Sequence, residues 1–353
     1  LPETVPPDTY EPSPQEPAGV PAPPRFTARD IFVGPDGLRA GWSILVFAAL
    51  FLALLAAAGF LLHELQNHSH HTAAQTSQPA LPDAAMSPEN VLVQEGVPLL
   101  CALLATWIMA RLERRPISVY GFDRQRRLRN FLAGLAWGVT LLSLLIVILR
   151  GAGLLVFDAR LLFGADTLRY GAIWFAGFLF VGLLEEILTR GYLQFTLTRG
   201  LGGTYRRLFG AEHANAIGFW SAALMLSFAF GFLHRTNPGE SPIGELSAGL
   251  IGLTFCFSLW RTGSLWWAIG FHAAWDWGES FLYGVADSGG LVQHRLFACH
   301  PVGRPILTGG LTGPEGSIFV LPVIALAAIV IVATLPRARS APTSANPSPP
   351  ALH

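Results

Sequence analysis

WSILVFAALFLALLAAAGFLL (residues 42–62) runs for 21 residues without a charged side chain. About 17–25 consecutive apolar residues are what a helix needs to cross the hydrocarbon core of a bilayer, so this stretch reads as a membrane span. Further apolar runs lie near 93–110, 131–155, 170–190, 216–233, 245–260, 264–284 and 317–335. The pattern predicts an all-α fold, a polytopic integral membrane helical bundle of about eight transmembrane helices. The run at 245–260 is short and starts at Glu245, which predicts a tilted or incomplete span there. Composition agrees: 52% of the 353 residues are hydrophobic and 13% charged, whereas soluble domains carry about a quarter charged residues.

The flanks differ in kind. Residues 1–35 contain PPDTYEPSPQEPAGVPAPP, and residues 336–353 end in APTSANPSPPALH. Such Pro-rich tails bury no core and are expected to be disordered, leaving residues 36–335 as the transmembrane domain. The acidic start lacks the short basic region of a signal peptide, so the first apolar run is expected to be a span and not a leader. All 23 basic residues are Arg, the net charge is zero, and the arginines are scattered, so nucleic acid is not expected as a partner. Cys101, Cys256 and Cys299 are far apart and suggest neither disulfides nor a thiolate metal site.

Arginine placement predicts the orientation, because short cytoplasmic loops carry the excess of basic residues. With the N-terminus inside, the cytoplasmic segments hold Arg25, Arg29 and Arg39; then RLERRPISVYGFDRQRRLR (111–129); then Arg199, Arg206 and Arg207; then Arg261; and then Arg337 and Arg339. On the other side, the 63–86 loop has no Arg and the 285–316 loop has only Arg295 and Arg304. Both termini are therefore expected to be cytoplasmic, with the bundle in a bacterial plasma membrane and membrane lipids as its surroundings.

Ionisable residues inside spans are costly and mark functional positions. They gather in three places: Glu185, Glu186 and Arg190 in FVGLLEEILTRGYLQ, His234 in LSFAFGFLHRT, and His272, Asp276 and Glu279 in SLWWAIGFHAAWDWGESF. Glu186 and Arg190 stand four apart in the acid-first order that pairs on one helical face, which predicts a structural pair. Glu185 is rotated about 100° from its neighbour, and is left free. His272 and Asp276 are also four apart and share a face. Glu185, His234, His272 and Asp276 together offer two imidazoles and two carboxyl groups, able to position and deprotonate a water with or without a divalent metal such as zinc. The same residues also suit a polar network between helices, or a cation or proton pathway. Glu279, near the end of its run, is expected to be wet.

EEILTRG resembles the EExxxR motif, FGFLH the FxxxH motif, and HAAWD the HxxxN/D motif of the CPBP family, which includes CAAX prenyl endopeptidases and bacteriocin-processing or self-immunity (Abi-type) proteins. Their order matches, as do Arg190, Gly191 and Tyr192 after the glutamates and RTGSLWWAIGFH before the last histidine. The resemblance covers roughly residues 165–285. It implies an intramembrane endopeptidase acting on a membrane-tethered or apolar peptide, with Glu185 as the base, His234 assisting the water, and His272 with Asp276 near the scissile carbonyl. Thr189 stands where the family often has an aromatic residue, and Asp276 where it often has Asn. An Asn donates a hydrogen bond to an oxyanion and an ionised Asp does not; an ionised Asp276 suits a ligand or orienting role, and a protonated one still donates. His234, His272, Asp276 and Glu185 are also the possible zinc ligands. The rival readings are a transporter, which predicts inverted repeats that the chain does not clearly show, and a catalytically silent scaffold.

HELQNH is not an HExxH zinc signature, because its histidines are five apart, and His63, His68, His70 and His71 are expected in a solvated loop. Trp266, Trp267, Trp275 and Trp277 suit packing, interfacial anchoring or a substrate groove. Counting about 1.5 Å per residue from cytoplasmic ends near 199, 216 and 263 puts Glu185 about 21 Å deep, His234 about 27 Å and His272 about 14 Å. Those depths do not meet, and require tilt or misplaced span ends.

Overall fold

The computed structural model describes residues 27–34, 37–70, 86–122, 126–210 and 212–337. The main helices are α1 (Ala40–His70), α2 (Pro88–Leu112), α3 (Arg127–Gly151), α4 (Gly164–Glu186), α5 (Gln194–Phe209), α6 (Ala214–His234), α7 (Pro242–Thr262), α8 (Trp266–Trp277) and α9 (Val320–Thr334). A π-helical turn, Ile187–Leu193, joins α4 to α5, and another, Gly278–Tyr283, extends α8. Among the described residues, six helices are long and apolar enough to cross a membrane: α1, α2, α3, the 46-residue helix Gly164–Phe209, α6 and α7. α9 is a shorter apolar helix, and α8 carries Asp276 and Glu279 on its own length and its extension. The protein is an integral membrane helical bundle, and each of the eight apolar runs overlaps a helix, the run 131–155 reaching past the end of α3 to Leu155, where a short strand begins.

Local chemistry sets the helix ends. α7 starts on Pro242, which needs no N–H at that position, behind Ser241, whose Oγ accepts from Gly244 N at 3.0 Å. It stops at Gly263, which takes the left-handed φ of 69°. The run at 245–260 is thus a complete helix of 21 residues. Arg261 donates to the carbonyls of Val332 and Leu335 at 2.8 and 2.6 Å, capping the last turn of α9. Outside the bundle, β1 (Leu155–Arg160) pairs antiparallel with β2 (Phe297–Pro301).

The largest core gathers α3, α7, α8 and α9 around Leu141, Leu145, Phe255, Trp267, Phe271 and Ala327. Small residues bring the helix backbones together there, as they do in bilayers where lipid removes the hydrophobic incentive to associate. A Cβ on Gly134 or Gly270 would overlap the facing backbone, and one on Gly138 would press on Phe271 O at 2.6 Å. α8 is thereby clamped to α3 and cannot slide.

Two expectations need restating. The 63–71 stretch is not a loop over its described part: α1 continues through it to His70, with His63 and Asn67 one turn apart and hydrogen-bonded at 3.1 Å, while His71 lies outside the described residues. Of the two expected tails, Arg29–Phe32 forms one helical turn and Val33–Gly34 pairs with Gly37–Leu38; residues 1–26 and 338–353 lie outside the described residues.

Candidate active site

α4, α6 and α8 bring the polar residues to one place, and the packing explains why the depths counted from the sequence did not meet. The helix Gly164–Phe209 does not end at the level where α8 begins. Leu265, just before α8, packs beside Gly191, and Phe230 lies under the Arg190 guanidinium, its ring centroid 4.2 Å away. From those levels Glu185 is about 9 Å up from Gly191, His272 about 10 Å up from Leu265, and His234 one turn beyond Phe230. The segment α5, with Arg199, Arg206 and Arg207, extends past that level at the other end. The sequence count went astray by assuming one cytoplasmic plane for all three helices.

Close approach at glycine sets the final distances. Gly182, one turn before Glu186, faces Ile269 O and Ala273 N, each 3.3 Å from where a Cβ would stand. This lets His272 reach both glutamates. Its Nδ1 donates to Glu186 Oε1 at 3.2 Å, and its Nε2 lies 3.7 Å from Glu185 Oε2 and 3.5 Å from Asp276 Oδ2. Glu186 also accepts from Arg190 Nη1 at 2.8 Å, with both side chains almost wholly buried. The pair read from spacing is therefore present, and Glu186 carries a second duty, holding the His272 ring. Gly252 leaves the room that the Arg190 guanidinium fills.

Glu185 is the freer carboxylate: its side chain is 33% exposed, and its Oε2 accepts no hydrogen bond. His234 Nδ1 donates to Phe230 O at 2.7 Å, which turns the other ring nitrogen outward from its own helix. Glu185, His234, His272 and Asp276 all line one cavity of about 510 Å³, walled by apolar side chains including Phe178, Ile251, Phe255 and Trp275.

Three acidic residues that the sequence reading passed over line the same cavity. Glu95 comes from α2, and Asp287 and Glu315 from the chain between α8 and α9. Glu95 was visible in principle, as an acid inside an apolar run; Asp287 and Glu315 sit in a loop with no local signal. Burial raises the pKa of Asp287 well above the usual carboxylate range and raises that of Glu315, the latter opposed by hydrogen bonds from Ser288. Glu279 corrects an expectation outright. It is not wet but 0% exposed, in the π-helical turn after α8, whose Gly278, Ser280 and Phe281 are buried with it.

The possible zinc set meets a geometric limit. Tetrahedral zinc needs its ligand atoms gathered about 2.0–2.3 Å from the ion. Among the described residues, no three of Glu185, His234, His272 and Asp276 offer ligand atoms within 4.8 Å of one another; the group that does is Glu279, Asp287 and Glu315. As arranged here, the four residues do not fit one zinc ion.

The cavity thus gathers carboxylates and imidazoles from three helices in the order glutamate, histidine, histidine-aspartate, within apolar protein walls. The family model for type II CAAX prenyl endopeptidase Rce1-like proteins matches residues 167–278. This stretch is similar to the Rce1-like family. The matched segment begins in α4 and ends just after α8, so it spans all four cavity residues named from the sequence. No curated protein and no solved structure matches the chain.

Proposed function

We propose that the protein is an intramembrane endopeptidase that hydrolyses a peptide bond by water activated at Glu185. The observation that carries this reading is the convergence of Glu185, His234, His272 and Asp276 from three helices on one cavity within an Rce1-like core. Glu185 takes a proton from a water held with the free nitrogen of His234, and the water oxygen bonds to the scissile carbonyl carbon. His272, held by Glu186 through Nδ1–H, faces the carbonyl oxygen, where negative charge develops, as an imidazolium whose Nε2–H donates to it, and Asp276 in its protonated form donates to the same oxygen. The C–N bond then breaks, and the proton held by Glu185 passes to the leaving amine. No step calls for zinc.

The cavity also favours a side of entry. Its wall includes Met86, Asn237, Pro238, Ser288 and Glu315, all at the end of the bundle opposite Arg111–Arg115, Arg199–Arg207 and Arg261. With the arginine-rich end in the cytoplasm, the substrate is a membrane-tethered or apolar peptide presented from the non-cytoplasmic side. Comparing new peptide ends in membranes that carry the wild-type protein or Glu185→Gln tests this. Cleavages that depend on Glu185, at sites on the non-cytoplasmic side, are expected; indistinguishable peptide populations would overturn the reading.

A further inference from the structure

The polar wall of the cavity continues past Asp276 into a second cluster that the proposed chemistry does not use. One carboxylate oxygen each from Glu279, Asp287 and Glu315 lies within 4.8 Å of the other two. Acidic groups gather on many proteins without a ligand, but Glu279 supplies a separate reason to expect one here. It is fully buried, neither of its oxygens accepts a hydrogen bond of ordinary geometry, and the Trp275 side chain is its neighbouring donor. A carboxylate taken out of water and left without a counter-charge is strongly unfavourable, and this one is directed at two further carboxylates.

The other two are held in place and left with capacity to spare. Ser280 Oγ donates to Asp287 Oδ2 at 3.0 Å, and Ser288 N and Oγ donate to Glu315 Oε1 at 2.6 and 2.7 Å. These partners are hydroxyls and a backbone N–H, so they orient the carboxylates without neutralising them. These bonds each go to a single oxygen of the carboxylate, as the bonds from outer partners of metal ligands do.

We infer that Glu279, Asp287 and Glu315 form a buried binding site for a hard divalent cation, Ca²⁺ by its tolerance of irregular oxygen shells. Three carboxylates with no sulfur or imidazole among them suit Ca²⁺ or Mg²⁺ rather than zinc. Ca²⁺ tolerates an irregular shell of oxygens whereas Mg²⁺ demands near-ideal octahedral geometry, so three carboxylates from three separate stretches of chain suit the larger ion, and backbone carbonyls and water from the cavity complete its shell. The ion ties the chain between α8 and α9 to the end of α8, and so fixes the cavity wall next to Asp276. This inference stands whether or not the protein is a protease.

The test uses the full-length protein, purified in detergent and stripped with a chelator. Titration with Ca²⁺ is expected to bind one ion per chain and raise the unfolding temperature. Tb³⁺, a Ca²⁺ substitute, is expected to luminesce on tryptophan excitation, through Trp275, and to be displaced by Ca²⁺. Asp287→Asn and Glu279→Gln are expected to lower Ca²⁺ affinity by about tenfold or more, since affinity follows ligand charge, while Glu185→Gln retains it. The Tb³⁺ measurement on the wild-type protein stands even if a variant does not fold. No saturable Ca²⁺ binding and no displaceable Tb³⁺ signal would overturn the inference, as would unchanged Ca²⁺ affinity in both folded variants. Loss of binding in Glu185→Gln alone would move the ion to the active site and equally defeat it.

Discussion

Arg190→Ala removes the cation from a pair whose partners are 2% and 0% exposed and 2.8 Å apart. What remains is a Glu186 carboxylate with no route to water, one oxygen already without a hydrogen bond, and only His272 Nδ1 as partner. Breaking a buried pair from one side costs about 3–5 kcal/mol. The guanidinium also lies over the Phe230 ring, its carbon 4.2 Å from the centroid, a contact worth about 2 kcal/mol when desolvated. Both terms belong to one group and are not independent, so a total loss of about 3–5 kcal/mol is expected. The double variant Glu186→Gln, Arg190→Met removes both charges, keeps an acceptor for His272, and refills most of the volume, so it should recover most of that loss. Thermal and denaturant unfolding in detergent, followed by tryptophan fluorescence, measures all three proteins. Arg190→Ala unfolding like the wild type, or a double variant no better than the single one, would refute the reasoning.

Three further outcomes follow from the same geometry. Gly252→Ala puts a Cβ where the Arg190 guanidinium lies and should destabilise by about 1–3 kcal/mol as an overpacked site, with a smaller effect in the Arg190→Met background; equal effects in the two backgrounds would contradict it. Asp276→Asn keeps a group able to donate to the carbonyl oxygen, so activity should persist with an altered pH profile, whereas full loss would assign position 276 a role for its charge. A cysteine introduced at Ser118 and one at Val302, each in a Cys299→Ser background that leaves only the buried Cys101 and Cys256, should be labelled from opposite faces of the membrane, with position 118 cytoplasmic; labelling from one face would overturn the orientation.

The bundle was legible because the bilayer demands long apolar helices: among the described residues six of the eight runs overlap helices long and apolar enough to cross, and the other two overlap the shorter helices α8 and α9. The Glu186–Arg190 and His272–Asp276 relationships were legible for a similar reason: four-residue spacing on a helix fixes them before any tertiary structure forms. What depended on the third dimension was hidden. The common level of Glu185, His234 and His272 comes from α8 starting beside Gly191, a helix-to-helix relation that no local pattern records. Glu279 was misread because its distance from the span end does not record that the turn carrying it is buried. Asp287 and Glu315 come to the cavity from a loop whose path is set by contacts such as Ser288 with Glu315. The helical extension of α1 past His63 was hidden because a polar, histidine-rich stretch looks the same in sequence whether it coils or continues a helix.

The central claim is that Glu185 activates the water. Glu185→Gln keeps the shape of the side chain and its place in the cavity but cannot accept the proton. Wild-type protein and this variant, each shown to be folded and reconstituted in lipid vesicles with a cleavable membrane-tethered peptide, are to be compared by rate of cleavage. Loss of a positioned general base should slow the reaction by about 10²–10⁴-fold, with substrate binding retained. A folded Glu185→Gln protein that cleaves the peptide at the wild-type rate would contradict the account.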